Sequence, residues 1–350
     1  MNRPAPTPVV FHVDTGTDDA AMLLWALTAG EVDTVAVLTG WGNVSEAQAC
    51  RNTLAVLAAA GAGHVPVHRG LDETAAGPRP AGLSAAFAMD VDGLGGVALP
   101  DGPPPSAEPA VDALLRLTAE RPGELVLLGV APFTTLAVAL DQDPALPGRL
   151  AGVTVMGGSV AAGGNLTPAA EANVGHDPEA AARVVRAFGR PGALAGGAVP
   201  RMVPLDVTYK ATVDEALVEA AGRSPLAGAA ALHRIWEACL PRGELETGRH
   251  GLPVHDLLAV YAAVHPEVCT WRRLPLEVDT AGGAAWGATV ADRRVPVAPG
   301  AGLSPGDEAR RLAGLDRAPA VWDVALDVDV VAFRAALHRW LAGSLGAPGP

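Results

Sequence analysis

The chain has only three cysteines, Cys50, Cys239 and Cys269. They are far apart and odd in number, which fits neither a disulfide framework nor the close spacing of a thiolate metal site. The simplest setting for such a chain is reducing and cytoplasmic. Positive charge is also scarce. Lys and Arg total 25 against 38 Asp and Glu, a net charge of -13. Such a surface repels phosphate backbones and anionic headgroups, so neither nucleic acid nor a membrane surface is an expected partner. No apolar run approaches the roughly 18 residues of a membrane span. The opening MNRPAPTPVV lacks the apolar core of a signal peptide.

What is present is a large apolar fraction, 49% of 350 residues. That is enough for one sizeable core. Apolar runs alternate with helical patterns. Candidate strands cover 9–13, 34–38, 125–130 and 153–156; candidate helices cover 18–27, 45–60, 132–140 and 178–188. Continuous apolar strands, rather than alternating ones, predict an α/β fold whose sheet is mostly parallel and covered on both faces. In an open sheet of that kind, sites form beyond the carboxyl ends of the strands. Asp14, Trp41-Gly42-Asn43, Val130 and Met156-Gly157-Gly158 all fall at such ends. The Gly- and Pro-rich stretches 70–110 and 296–318 read as surface connections, the first bordering the pocket. No repeat or linker is visible, so a single domain is expected over the whole chain, ordered from about 8 to 343 with short tails.

Chemistry is concentrated in a few segments. Val13-Asp14-Thr15-Gly16-Thr17-Asp18-Asp19-Ala20 places three carboxylates around a glycine turn between a strand and a helix. Crowded acids repel, and a bound metal ion is the obvious relief. Capping explains Asp18 and Asp19 equally well, but not Asp14. Within Gly163–Ala181, Asn165, Thr167, Glu171 and Asn173 supply the amides, hydroxyl and carboxylate that suit a polyhydroxylated ligand; a polar surface loop is the plainer alternative. His255-Asp256 opens an apolar helical run, either as a cap or as a substrate-facing histidine beside one more oxygen ligand. Asn43 starts a predicted helix, with Asn52 further along it. Trp41 and Trp236 are candidates for stacking on a base, with Trp41 preferred because it abuts Asn43.

In order, the segments DTGTDDA, GNVSEAQACRNTLAVL, DGLGG, VAPFTTLA, VMGG, GNLTPAAEANVGHDPEAA, PLDVTYK and HDLLAV resemble the nucleoside hydrolases of the inosine-uridine preferring type, from about Val9 to the C-terminal helix. The resemblance implies an open, mostly parallel β-sheet flanked by helices around a Rossmann-like core. It implies calcium-dependent hydrolysis of the N-glycosidic bond of a ribonucleoside, giving ribose and free base for salvage, by a homodimer or homotetramer. Carried over by motif position, Asp14, Asp19 and Asp256 would bind Ca2+ with their carboxylates and Val130 with its main-chain carbonyl. Asp14 would also activate the metal-bound water as general base. Asp18, Asn43, Asn165, Glu171 and Asn173 would bind the ribose, Met156 would line the sugar pocket, and His255 would lie near the leaving base.

Four positions depart from the family pattern. His12 stands where an aspartate is usual, Thr15 replaces a proline, Met89-Asp90 replaces His-Gly, and Ala285-Trp286-Gly287 replaces Thr-Arg-Gly. A protonated His12 would oppose a cation, and the Met89 change would alter contacts to the base or the 5′ end. A non-catalytic or altered-specificity riboside-binding member is therefore the alternative reading. DTGT also resembles, faintly, a phosphatase signature, but His12 occupies the nucleophile position.

Overall fold

Apolar β-branched residues dominate the first strand, β1 (Thr7–Val13), and the alternation of its side chains feeds two cores. Val9, Phe11 and Val13 enter one cluster, and Val10 enters the other on the opposite sheet face. The computed structural model describes residues 5–74, 92–248, 250–294 and 320–343. Met89 and the stretch 296–318 lie outside these residues.

The chain continues through α1 (Thr17–Thr28), β2 (Val32–Thr39), α2 (Glu46–Ala59), β3 (Val67–Arg69), α3 (Ala110–Glu120), β4 (Leu125–Gly129), α4 (Thr134–Gln142) and β5 (Leu150–Met156). The one-turn α5 (Ala172–Gly175), α6 (Pro178–Phe188), β6 (Arg201–Val203) and the short α7 (Leu205–Thr208) follow. A small two-stranded sheet, β7 (Thr212–Val213) and β8 (Leu252–Pro253), brackets α8 (Glu215–Gly222) and α9 (Ala229–Thr247). Beyond it come α10 (His255–Val264), β9 (Cys269–Val278), β10 (Thr289–Ala291), β11 (Ala320–Val328) and a final helix, Val330–Leu341.

The large sheet has the order β10-β9-β11-β6-β5-β4-β1-β2-β3. Every described pairing from β3 across to β11 is parallel. β9 alone runs against its neighbours, antiparallel to both β11 and β10. The expected α/β architecture is therefore the observed one. The four predicted strands and four predicted helices are all present, with α4 starting at Thr134 rather than Pro132. The turn after β4 uses the extra residues, and the Val130 N–H donates to the His12 carbonyl at 2.8 Å.

Strand order reverses at β1. The chain first moves outward through β2 and β3, then returns to β4 on the other side of β1. The crevice outside the carboxyl ends of β1 and β4 is the topological switch point where open α/β sheets bind ligands. α1 leads away from that point and is apolar on nearly every side, because α2, α9 and α10 surround it. No described helix is long and apolar enough to cross a membrane.

The far end of the sheet is pinned by Trp322 on β11. It is fully buried, and its indole N–H donates to the Val185 carbonyl of α6 at 2.9 Å. Trp322→Ala is expected to cost about 3–5 kcal/mol in a denaturant titration, as large aromatic truncations do, and Trp322→Phe about 1–2 kcal/mol. A Trp322→Ala loss below about 1 kcal/mol would show that this end is not packed as described.

Candidate active site

Three acids converge where β1 meets α1. Asp14 follows the strand directly, and burial leaves it 1% exposed. Its Oδ2 accepts the Asn43 backbone N–H at 2.6 Å, while its Oδ1 has no hydrogen-bond partner. Asp19 sits in the first turn of α1 and accepts N–H groups from Gly16 at 2.9 Å and from Asp14 at 3.3 Å. The glycine turn folds because that carboxylate satisfies it from the helix start. Asp256, in the first turn of α10, arrives from far along the chain. Asp18, Asp19 and Asp256 each place a carboxylate oxygen within 4.8 Å of the others.

Burial is the main force on these groups. It raises Asp14 and Asp256 well above the usual carboxylate range, with neighbouring acids adding to the effect. It pushes Asp19 up to about 7, with Asp18 contributing. The donors are all hard oxygens, and one buried carboxylate oxygen is unsatisfied. Both facts fit a hard divalent cation such as calcium or magnesium rather than zinc. The residues present therefore suit a metal ion.

Above the acids lies a cavity of about 310 Å³, within the size range of small-molecule sites. Of the residues singled out from sequence, Asp18, Asn43, Val130, Met156, Asn165, Glu171, Asn173, His255 and Asp256 line it, while Asp14 and Asp19 lie one layer behind the wall. The Asn173 amide donates to the Val130 carbonyl at 2.8 Å and to the Met156 carbonyl at 3.2 Å. A carbonyl has two lone pairs, so Val130 retains one for a ligand. Glu171 accepts from Asn173, Gly158 and Val174 backbone N–H groups at 2.9, 2.8 and 3.1 Å, and burial pushes it up to about 7. It binds the end of β5 to the start of α5. Asn165 accepts the Ala172 N–H at 2.9 Å, which leaves its own amide N–H groups available.

The two tryptophans considered for stacking fall outside the cavity lining. Trp41 does not line the cavity. It is 1% exposed, and its indole packs edge-on to His176 at 5.3 Å, because the Gly42 turn sends Asn43 toward the cavity and the tryptophan away from it. Trp236 is likewise fully buried in the core. At His12, burial holds the ring at about 4, so it is neutral near pH 7 and brings no positive charge to the acids. Trp286 lies away from the cavity, with its indole near Glu179 at 3.4 Å.

The lining also includes residues given no individual role from the sequence: Thr17, Gly93, Tyr209, Leu252 and Pro253. PLDVTYK stands out only as part of an ordered set, yet it delivers Tyr209 to the wall. Asn52 acts from behind. Its amide donates to the carbonyls of Thr15 at 2.8 Å and Asp92 at 2.7 Å, so it clamps the acidic loop to the turn that carries Gly93. That turn needs glycine, since Gly93 has φ +77 and an added Cβ would meet Val44 at 2.8 Å.

A sequence profile described as inosine-uridine preferring nucleoside hydrolase matches residues 9–335. The chain belongs to that family. It is a nucleoside hydrolase, an enzyme acting on N-glycosidic bonds, and the family is metal-dependent. Among relatives, a probable uridine nucleosidase 1 of Oryza sativa subsp. japonica is 32% identical over 283 residues, covering 78% of this chain and 82% of its own. The pyrimidine-specific ribonucleoside hydrolase RihA of Citrobacter koseri is 32% identical over 293 residues, covering 81% and 88%. A purine-preferring ribonucleoside hydrolase from Gardnerella vaginalis superposes with a TM-score of 0.81 at 26% identity, over 97% of this chain and 99% of that one. The plant nucleoside hydrolase PpNRh1 superposes with a TM-score of 0.80 at 26% identity, over 98% and 100%.

The raised acids set a pH dependence. A carboxyl whose folded pKa exceeds its unfolded value binds more protons when folded, so stability falls as pH rises between the two values. For Asp19 that window runs from about 4 to about 7. Metal-free protein is therefore expected to lose thermal stability across it, and the stabilisation from a millimolar divalent cation is expected to grow with pH across the same window. Cation stabilisation that shrinks with rising pH would contradict the placement of these acids.

Proposed function

We propose that the chain hydrolyses ribonucleosides to ribose and free base with a bound calcium ion, Asp14 activating the attacking water and His255 assisting departure of the base. The observation that carries this reading is the stacking of two layers. Buried Asp14 and Asp19 lie directly behind a cavity whose wall supplies Asp18, Asn43, Asn165, Glu171, Asn173, His255 and the buried Asp256.

Asp14, Asp19 and Asp256 would hold the cation through carboxylate oxygens, and the Val130 carbonyl would add its remaining lone pair. When bound, the ion supplies positive charge that orients water and sugar hydroxyls and lowers the water's pKa. The free Oδ1 of Asp14 takes a proton from the water as its oxygen bonds to the anomeric carbon. The C–N bond breaks, and its electron pair leaves with the base. Asp18, Asn43, Asn165, Glu171 and Asn173 hold the ribose, and the acids among them stabilise the positive charge developing on it. Met156 packs against the sugar. The His255 ring donates a hydrogen bond to the departing base from the Tyr209 side of the cavity. Uridine is the first substrate to test, because the sequence relatives include uridine nucleosidases and a pyrimidine-specific hydrolase.

Chelator-treated protein is expected to release no ribose from uridine until calcium is restored. Asp14→Asn is expected to lower kcat by about 10³-fold or more while the fold persists by circular dichroism. Ribose release by Asp14→Asn at the parental rate would remove Asp14 as the base. His255→Ala is expected to depress turnover of uridine far more than that of p-nitrophenyl riboside, whose leaving group departs unaided. Equal losses on the two would remove His255 from leaving-group assistance.

A further inference from the structure

We propose that Thr208 is a positioning residue that fixes which nitrogen of His255 faces the leaving base with a proton. The inference rests on the His255 assignment above and adds a residue to it. The Thr208 hydroxyl lies 2.7 Å from Nδ1 of His255. Thr208 is fully buried, and it comes from α7, the short helix that follows β6 at the carboxyl end of the sheet. The next residue, Tyr209, sets its ring edge-on to the imidazole, with centroids 5.6 Å apart and planes at 68°. One short turn thus contacts His255 twice, once to hold the ring plane and once to engage a single nitrogen.

A neutral imidazole carries its proton on one nitrogen only, and the partner of the other nitrogen selects which. With Nδ1 turned to Thr208, Nε2 is the nitrogen directed to the cavity that His255 lines. A hydroxyl that donates to Nδ1 leaves the proton on Nε2, where it serves the base. The reverse arrangement would present a lone pair to the base and could only accept. The cavity side favours the first arrangement, since Asp18 lines the same wall and its carboxylate attracts an N–H. A carboxylate is the commoner partner at this position in enzymes that orient a histidine. A hydroxyl sets the tautomer without adding a negative charge beside an already acidic cluster.

The test compares Thr208→Val, which keeps shape and removes the hydroxyl, with Thr208→Ser, which restores it. For Thr208→Val, the ratio of kcat on uridine to kcat on p-nitrophenyl riboside is expected to fall by about tenfold or more, and Thr208→Ser is expected to return the ratio to within about threefold of the parent. An unchanged ratio in Thr208→Val, or a serine variant as impaired as the valine one, would overturn the proposal and leave the hydrolase reading standing. The tautomer is read separately by nitrogen-15 NMR of the histidine rings, with the His255 signal identified by its loss in His255→Ala. A proton on Nε2 in the parent protein, redistributed in Thr208→Val, supports the assignment. A proton on Nδ1 in the parent overturns it, whether or not the chain cleaves uridine.

Discussion

Confining like charges at one buried point is the constraint on which the rest of this structure depends. Two carboxylates 4.8 Å apart repel by about 3 kcal/mol at an effective dielectric near 20. Three such pairs together approach the whole net stability of an ordinary domain. Without compensation burial favours the protonated forms of Asp14, Asp19 and Asp256. A divalent cation reverses the balance, because the same low-dielectric surroundings that penalise isolated charge strengthen attraction to the ion. Stability and catalysis then draw on one contact.

Much of the surrounding architecture serves that point. Gly42 lets the backbone pass close to Asp14; a Cβ there would lie 1.9 Å from its Oδ2. The Asn43 N–H then engages that oxygen and leaves the other one open. Asn52 ties the loop to a distant turn, and Glu171 and Asn173 tie the ends of β4 and β5 to α5. Cavity-lining residues are therefore also the residues that hold the wall together.

The central strands were legible in the sequence because each is a short apolar run with nothing to compete for it. The acidic loop stood out because helix capping accounts for Asp18 and Asp19 but not for Asp14 at a strand end. Most of the cavity wall could be named from motif order. The peripheral strands β9 and β11 were missed, since alternating charges such as Arg272-Arg273 and Asp323 mask a half-exposed strand, and the ion pair between Arg273 and Asp323 forms only across the sheet. Trp41 misled because adjacency in sequence does not fix direction when a glycine intervenes. Tyr209, Leu252 and Pro253 carry no local signal of function. Leu252 and Pro253 are paired as β8 with β7, just beyond Tyr209, and this pairing joins segments that are remote along the chain. The same remoteness hid Thr208, an ordinary threonine until the fold brings it to His255.

One consequence concerns synthesis. Asp14 and Asp19 lie near the start of the chain and Asp256 well past its middle, so the nascent polypeptide carries the first pair for on the order of ten seconds or more before their partner emerges from the ribosome. Until then β1 and α1 have no complete cradle for an ion, and burying their acids stays unfavourable. The contact of α10 with α1 joins the apolar core and delivers Asp256 at the same place.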